Sequence, residues 1–379
     1  MTSHSGAGHI GPLLPFAGAL RRAGDDVMIA APERAQALVE KNGLPFLPFA
    51  EAPEKDRNAI VASVDGLTDE EAGARVVGEL FTRLDGRAGY PDVLAACDRW
   101  RPDLVMHETT EFAGYLAAER RGIPHARVGL VLGSSEEMVS AVVPPVLDDL
   151  RNELGLAADP IGERLLESPF VTLTPLAMED PEATGPLQAQ RFRETDHEAP
   201  DLPAGWWPAE MQERPLVYLT FGSVLPQMDL FPGLYRDAID QLADVDARVL
   251  VTIGRDRDPA ELGFVPPSVH VEQWVPQRDV MPHAAAMVGH GGFGTTRMGL
   301  SAGVPMVVIP SFADQPFNAR RVAALGAGIA LEGVDGLADA VRALLDDPSY
   351  RAAAKRIADD VARLPSVDEA PAYLRELRR

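Results

Sequence analysis

Residues 274–322 read WVPQRDVMPHAAAMVGHGGFGTTRMGLSAGVPMVVIPSFADQPFNARRV. An apolar run ending at His290 predicts a strand, and the glycines after it predict a tight turn into a helix that contains Thr295 and Thr296. Backbone N–H groups at a helix start form a site for phosphate, and glycines let the phosphate approach closely. The threonine hydroxyls and the His290 imidazole can add donors to the same oxygens. The stretch therefore predicts a phosphate site, although many strand–helix turns contain glycines for packing alone.

The residues on either side of this turn carry groups suited to a base and a sugar. Trp274 stands at the end of the preceding predicted strand, at the edge where open α/β sheets gather ligands, and its indole can stack on a base. Asp314 and Gln315 follow the next predicted strand and can hydrogen-bond to sugar hydroxyls. Together these residues indicate a nucleotide-sugar site.

This arrangement resembles the donor-binding signature of the nucleotide-sugar glycosyltransferase family that includes plant secondary-metabolite, animal glucuronosyl and actinobacterial antibiotic glycosyltransferases. The matching elements, in order and spacing, are Trp274-Val275-Pro276-Gln277, His283, His290-Gly291-Gly292, Gly294-Thr295-Thr296, Gly303-Val304-Pro305, and Asp314-Gln315 with Asn318. The resemblance implies the α/β fold called GT-B, in which two Rossmann-like, doubly wound parallel-sheet domains face each other across a cleft. It also implies an enzyme that transfers a sugar.

The resemblance implies a role for each donor-site residue. Trp274, Val275 and Gln277 would hold the base. The residues expected on the diphosphate are Ser223, His290, Gly291, Gly292, Gly294, Thr295 and Thr296. Asp314 and Gln315 would contact the transferred sugar, whereas His283 is expected to be a packing residue.

Met298 departs from the pattern of the family members that use UDP-sugars. Those members commonly carry a Glu eight residues after the signature histidine, where it chelates both ribose hydroxyls; Met298 stands at that position here. A deoxyribose has no 2′-hydroxyl to satisfy, so the loss costs little if the donor is a dTDP-sugar. Antibiotic-type members, which take dTDP-deoxysugars, similarly lack this Glu. The resemblance therefore favours a dTDP-sugar, and a UDP-sugar held by another residue is the alternative.

Outside this stretch, short apolar runs alternate with amphipathic segments. The runs are rich in Val, Ile and Leu without strict alternation, which is expected for parallel strands buried on both faces. Predicted strands are 27–31, 45–49, 104–107, 126–131, 171–175, 217–222, 248–254, 269–275, 286–290 and 305–310, and predicted helices between them include 9–23, 111–121, 228–242 and 333–345. The pattern predicts an α/β fold that repeats twice.

The chain has 379 residues, more than one hydrophobic core usually holds, so we expect two domains. Residues 1–195 are expected to form an acceptor-binding domain, 196–214 a linker, 215–362 the donor-binding domain, and 363–379 a helix that packs back on the first domain. A Ser/Gly-rich loop begins at Thr2 with no apolar strand before it. Either the first central strand of this domain is missing, or the true start lies upstream.

His9 is the candidate catalytic base. Gly8-His9, before a Pro-Leu-Leu-Pro helix start, resembles the catalytic-base motif of the family, and an imidazole can take a proton from an attacking alcohol. Such a base needs an orienting carboxylate. Pro102 to Glu108 resembles the family stretch that provides it, with Glu108 in place of the usual Asp. Glu111 is the alternative partner, and His4 is a weaker candidate for the base.

Composition limits the partners of the protein. The formal net charge is −22, which disfavours nucleic acid and anionic lipid as ligands, and no apolar run is long enough to span a membrane. Cys97, the single cysteine, permits no intrachain disulfide and is expected to be a core residue. No secretory signal is recognisable, so a cytoplasmic location is expected. The acidic pairs at 244/246 and 256/258 are expected to be surface residues, and neither a metal nor a cofactor is expected.

The sequence therefore predicts an inverting, metal-independent glycosyltransferase that moves a deoxysugar from a dTDP-sugar to a hydroxyl of an apolar natural product. A nucleotide-sugar epimerase and a non-catalytic donor-binding partner protein are the alternatives of other classes. Phe81, Tyr90 and Met138 lie in two stretches, 67–90 and 128–146, that line an acceptor pocket or belong to the core. The sugar, the acceptor and a homodimer are left open.

Overall fold

The computed structural model describes residues 1–182 and 188–377. The chain divides into two compact units: unit 1 is Met1–Thr195 with Leu364–Arg379, and unit 2 is Asp196–Arg363. Residues 196–214, expected to be a linker, thus belong to unit 2, and the end of the chain belongs to unit 1.

Unit 1 is built on parallel strands. They are β1 (Ile29–Pro32), β2 (Phe46–Phe49), β3 (Val105–Glu108), β4 (His125–Val128), β5 (Phe170–Thr172) and β6 (Gln190–Arg191). β1 pairs with β2, and β3 to β6 pair in chain order. Thr2 forms parallel bridges to Ala30 of β1 and to His107 of β3. The backbone at Thr2 therefore occupies the central position of the sheet where no strand could be recognised in the sequence.

The helices of unit 1 before residue 182 are α1 (Ala7–Ile10), α2 (Leu13–Arg22), α3 (Gln36–Lys41), α4 (Glu54–Ala62), α5 (Asp69–Arg75), α6 (Gly86–Trp100), α7 (Phe112–Arg121), α8 (Gly133–Glu153) and α9 (Glu163–Leu166). A π-helix, Val76–Asp85, joins α5 to α6. The single helix predicted over 9–23 is thus two helices, and Pro12 stands immediately before the second. Cys97 is buried in α6, as expected.

Unit 2 contains one six-stranded parallel sheet. Its strands are β7 (Leu216–Thr220), β8 (Arg248–Thr252), β9 (Val269–Glu272), β10 (Ala284–Gly289), β11 (Met306–Val308) and β12 (Gly328–Ala330), in the spatial order β12-β11-β10-β7-β8-β9. Strand order reverses between β7 and β10, which are hydrogen-bonded neighbours. Ligands of doubly wound sheets bind beyond the carboxyl ends of strands at such a reversal.

The helices of unit 2 are α10 (Gly233–Leu242), α11 (Gln277–Val280), α12 (Phe293–Ser301), α13 (Gln315–Ala324), α14 (Leu337–Asp346) and α15 (Pro348–Ala362). The sheet and two of these helices enclose the core, which includes Val249 and Val288 from strands and Tyr235 and Val341 from helices. β6 and β12, of two and three residues, escaped prediction, but the parallel α/β prediction is confirmed.

Residues 196–214 pack on the sheet of unit 2. Trp207 is buried, and its Nε1 lies 3.4 Å from the carbonyl oxygen of Val249 in β8. Trp206 stacks on His270 of β9 with ring centroids 4.5 Å apart. His283 Nε2 lies 2.9 Å from the carbonyl oxygen of Pro200. His283 thus contacts this segment.

The last helix, α16 (Ala370–Glu376), completes unit 1. Val367, Ala370 and Leu374 are each 0% exposed and lie in the same core as Ile29 of β1. Backbone bonds join Arg193 to Pro365 and Val367, so this end of the chain is tied to the strand region of unit 1. No helix within residues 1–182 and 188–377 has the length and apolarity needed to cross a membrane.

Candidate active site

His9 and Glu108 form a hydrogen-bonded pair in unit 1. Glu108 is the last residue of β3, and His9 lies in α1. His9 Nδ1 is 2.9 Å from Glu108 Oε1, and the His9 side chain is 24% exposed whereas that of Glu108 is fully buried. The structure thus brings together the residues that the sequence pointed to as base and orienting carboxylate.

The carboxylate of Glu108 is held from a second side by Thr110. The Thr110 backbone N–H donates to Oε2 at 2.6 Å, and its hydroxyl donates to the same oxygen at 2.9 Å. Burial raises the pKa of Glu108, but the charge of His9 and the bonds from His9 and Thr110 outweigh burial and lower this pKa to about 2. Glu108 is therefore ionised at neutral pH. Because a carboxylate only accepts hydrogen bonds, the proton lies on His9 Nδ1, and Nε2 is the basic nitrogen.

His4 supports this pair but is not placed to be the base. Its side chain is almost fully buried, and Nε2 lies 3.0 Å from the carbonyl oxygen of Thr110. Burial lowers the pKa of His4, so the ring is neutral at pH 7. Its backbone N–H also lies 3.5 Å from Glu108 Oε1.

Glu111 has a different function from the one considered for it as an alternative partner of His9. It is the N-cap of α7, where its carboxylate accepts the Gly114 N–H at 3.0 Å and the Thr2 hydroxyl. Burial raises the pKa of Glu111 to about 7. These contacts tie α7 to the segment that bridges β1 and β3.

The π-helix carries Phe81 to the candidate base. The Phe81 ring contacts the His9 ring edge to face, with centroids 5.5 Å apart, and lies 4.5 Å from the centroid of His4. Tyr90 belongs to the core, and Met138 packs against that core. Of these three acceptor-pocket candidates, only Phe81 has a ring contact with the base.

The glycine-rich turn of unit 2 lies at the reversal of strand order. Gly222 follows β7, and Gly291 and Gly292 follow β10. A Cβ on Gly222 would lie 2.6 Å from Cε1 of His290, and one on Gly292 would lie 2.9 Å from the same atom. The imidazole of His290 therefore packs closely against Gly222 and Gly292, and a side chain at either position would clash with the ring. Burial lowers the pKa of His290 to about 4, so the ring is neutral at pH 7.

The two threonines of α12 differ in exposure. Thr295 is half-buried, and its hydroxyl oxygen lies 3.3 Å from Gln277 Nε2. Thr296 is 2% exposed, and within residues 1–182 and 188–377 its Oγ1 has no hydrogen-bond partner. Gln277 therefore contacts the helix expected at the diphosphate.

Trp274 is 47% exposed at the end of the segment that follows β9. The guanidinium of Arg255, which follows β8, lies 3.6 Å from the centroid of the Trp274 ring. One face of the indole is therefore covered by a cation, and a base that stacks on Trp274 uses the other face. Sequence reasoning missed Arg255, although this cation directly precedes the acidic pair at 256/258.

Asp314 and Gln315 lie where α13 begins. Gln315 is buried, and its Oε1 accepts the backbone N–H of Ser311 at 2.8 Å and of Phe312 at 3.2 Å. Its side-chain oxygen therefore closes the loop, which leaves only the NH₂ group to donate to a ligand. Asp314 Oδ2 accepts from Asn318 Nδ2 at 2.7 Å.

The remaining donor-site candidates lie at the same sheet edge. Ser223 and Gly294 are exposed, and Val275 is half-buried. Met298 is half-buried on α12, two turns after His290. The acidic pairs beside β8 are engaged in surface contacts, since Asp246 pairs with Arg214 and Asp258 caps a short 3₁₀ helix.

The chain is similar to known proteins over nearly its whole length. Sequence profiles of the erythromycin biosynthesis protein CIII-like family match residues 18–222 (N-terminal domain) and 236–377 (C-terminal domain). L-demethylnoviosyl transferase of Streptomyces niveus is 33% identical over 371 residues, which cover 97% of this chain and 94% of that protein.

Solved structures of glycosyltransferases superpose on the whole chain. SnogD from Streptomyces nogalater is 29% identical with a TM-score of 0.78, covering 100% of this chain and 98% of its own. SsfS6 from Streptomyces sp. SF2575, determined with thymidine diphosphate, is 26% identical with a TM-score of 0.79, covering 99% and 98%. Transferase activity is thus favoured over the epimerase and binding-partner alternatives. The chain belongs to the erythromycin biosynthesis protein CIII-like family of natural-product glycosyltransferases and has the GT-B fold.

Proposed function

We propose that this glycosyltransferase transfers a deoxysugar from a dTDP-sugar to a hydroxyl of an apolar natural product, with inversion at the anomeric carbon. The observation that carries the proposal is the 2.9 Å bond between His9 Nδ1 and the buried, ionised Glu108. This bond leaves Nε2 as the nitrogen that takes the acceptor proton.

In the proposed reaction, the acceptor oxygen attacks the anomeric carbon as His9 Nε2 takes its proton, and the bond from that carbon to the diphosphate breaks. A single displacement of this kind inverts the anomeric centre. The proposed base belongs to unit 1, and the proposed donor residues belong to unit 2.

The departing diphosphate is the largest charge in this reaction. The amide groups of residues 291–295 and the N-terminal end of α12 provide donors and a favourable dipole for it. The neutral His290 imidazole adds a polar group without a charge of its own. This scheme requires neither a metal nor a cofactor, and we expect turnover to persist in the presence of a chelator.

The identity of the nucleotide rests on Met298 and on the relatives. Met298 offers no carboxylate to a ribose diol, and SsfS6 was crystallised with thymidine diphosphate. UDP-sugar use is the alternative. We expect dTDP to raise the melting temperature more than UDP does at equal concentration, because only the tighter ligand is far above its Kd. A larger shift with UDP would contradict the dTDP assignment.

The base is tested separately with His9→Ala. We expect turnover of a competent acceptor to fall roughly 10²–10⁴-fold, the usual contribution of general base catalysis. The melting-temperature shift given by dTDP should stay unchanged, since the donor residues lie in unit 2. Undiminished turnover by His9→Ala would refute its assignment as the base.

A further inference from the structure

Asn318 joins two loops of unit 2 through one buried amide group. It lies in the first turn of α13 and is 1% exposed. Its Nδ2 donates to the carbonyl oxygen of Gly291 at 2.7 Å and to Asp314 Oδ2 at 2.7 Å. Both partners only accept hydrogen bonds, so the NH₂ group must face them. One proton therefore serves the loop after β10, and the other serves the loop after β11.

The side-chain oxygen of Asn318, in contrast, makes no hydrogen bond to the two loops. Asn318 Oδ1 is buried without a hydrogen-bond partner among the residues that the structure describes. An acceptor buried in this way costs free energy. The two N–H donors of Asn318, and not its oxygen, therefore explain why an asparagine fits this position.

The two loops that Asn318 joins have little freedom to move independently. Gly291 has a φ of 83°, and a Cβ there would lie 3.1 Å from the carbonyl oxygen of Gln315. Ala313 has a φ of 59°, an unfavourable backbone conformation for alanine, inside the loop that the Gln315 side chain closes. The Asp314 carboxylate follows directly, so its position depends on this strained turn and on the Asn318 bond.

We propose that Asn318 is a positioning residue that holds the sugar-side carboxylate of Asp314 in register with the diphosphate loop at Gly291. This inference rests on the proposed function, which puts the diphosphate at the loop after β10, and on the expectation that Asp314 contacts the transferred sugar. Without the amide, the Gly291 carbonyl and the Asp314 carboxylate lose the donor group that joins them, and the two loops are held together less firmly. Contacts to the nucleoside, made by other residues, are unaffected.

The test compares ligands that share the nucleoside and differ in the remainder. Calorimetry on the full chain measures the Kd of thymidine, dTDP and dTDP-glucose for the wild type, Asn318→Asp and Asn318→Ala. Asn42→Asp is the control, because Asn42 is an exposed amide in unit 1 that donates to Leu38. We expect the thymidine Kd to stay within twofold in both Asn318 variants. We expect the dTDP Kd to rise about 10-fold and the dTDP-glucose Kd to rise further.

Two results would overturn the inference. One is an unchanged ratio of thymidine Kd to dTDP Kd in both variants. The other is a parallel loss of thymidine and dTDP affinity, which indicates general damage to the unit. If the wild type prefers UDP, the dTDP assignment fails on its own, and the same ratio measured with uridine and UDP tests Asn318.

Discussion

Glu108 is one methylene longer than the aspartate usual at this position, and the extra length is accommodated by bonds at both carboxylate oxygens. Oε1 accepts from His9, and Oε2 accepts from the backbone and hydroxyl of Thr110. The pKa of about 2 in the folded protein lies below the ordinary value of 4.5. Ionised Glu108 thus contributes stability that is present above about pH 4.5 and is lost as the pH falls toward 2.

Replacing this carboxylate by an amide should affect both rate and pH dependence. In Glu108→Gln the bond to His9 Nδ1 can persist, but the charge that favours the imidazolium is gone. We expect kcat to fall roughly 10²–10⁴-fold. The acid limb of the pH–kcat profile should move to lower pH, since a protonated His9 is then less favourable.

Glu111→Gln is the matched control, because Glu111 is an equally buried carboxylate three residues on. It caps α7, where its carboxylate accepts hydrogen bonds from Gly114 and Thr2. We expect the melting temperature of the Glu111→Gln variant to change, while the acid limb of its pH–kcat profile coincides with that of the wild type. A Glu108→Gln enzyme whose acid limb coincides with that of the wild type would show that Glu108 does not act through His9.

At the scale of elements, the conformation of the turn between β10 and α12 depends on the space around the His290 ring. Gly292→Ala would place a Cβ against Cε1 of His290, and the ring already packs closely against Gly222 on another side. The imidazole must move, and the N–H groups at the helix start move with it. We expect the dTDP Kd to rise at least about 10-fold, the free-energy equivalent of about 1.4 kcal/mol.

Gly233→Ala provides the comparison for this change. Gly233 is the first residue of α10, and a Cβ there meets no atom within 4 Å. It should bind dTDP as the wild type does, as measured by calorimetry. Equal dTDP affinity of the Gly292→Ala and Gly233→Ala variants would show that the packing of His290 against Gly292 does not shape the phosphate site.

Most long elements were predictable because their apolar patterns are strong, and the exceptions have local causes. The π-helix at 76–85 carries apolar residues at spacings that fit an α-helix equally well, so its geometry was not visible in the sequence. The predicted helix 228–242 begins only at Gly233, after Pro232. β6 and β12 are too short to show a period.

Site residues were predictable only where chemistry and spacing coincide. His9, Glu108 and the glycine-rich turn carry recognisable patterns. Thr110 and Arg255 act through contacts that depend on folding, such as the 3.6 Å approach of Arg255 to the Trp274 ring. Asn318 belongs to the donor-site pattern, but its bonds to Gly291 and Asp314 could not be derived from the sequence. Gln315 could be located, but its bonds to Ser311 and Phe312 could not be derived from residue type.

At the scale of the whole molecule, unit 1 depends on a helix from the far end of the chain. Leu374 of α16 is 0% exposed in a core shared with β1 and α2. We expect Leu374→Ala to lower the free energy of unfolding by about 2–5 kcal/mol, the usual cost of such a cavity. Urea unfolding followed by circular dichroism measures this change.

Unit 2 should retain its nucleotide affinity in the Leu374→Ala variant, which dTDP calorimetry under native conditions checks. Ile161→Ala is the control, because Ile161 is 69% exposed and should cost less than about 0.5 kcal/mol. A cost for Leu374→Ala no larger than that of the control would show that α16 is dispensable for unit 1.

The division of unit 1 into two segments sets an order in time when the chain is synthesised. A ribosome releases all of unit 2, a single continuous segment, before residues 364–377 emerge. Domains usually fold in the order of synthesis. Here the first segment of unit 1 is made before α16. Until α16 is made, the apolar surface that Val367, Ala370 and Leu374 later cover is exposed to water. A translational pause just before residue 364 would therefore prolong the exposure of this surface. A chaperone that binds nascent chains would then stay bound longest to the first segment of unit 1.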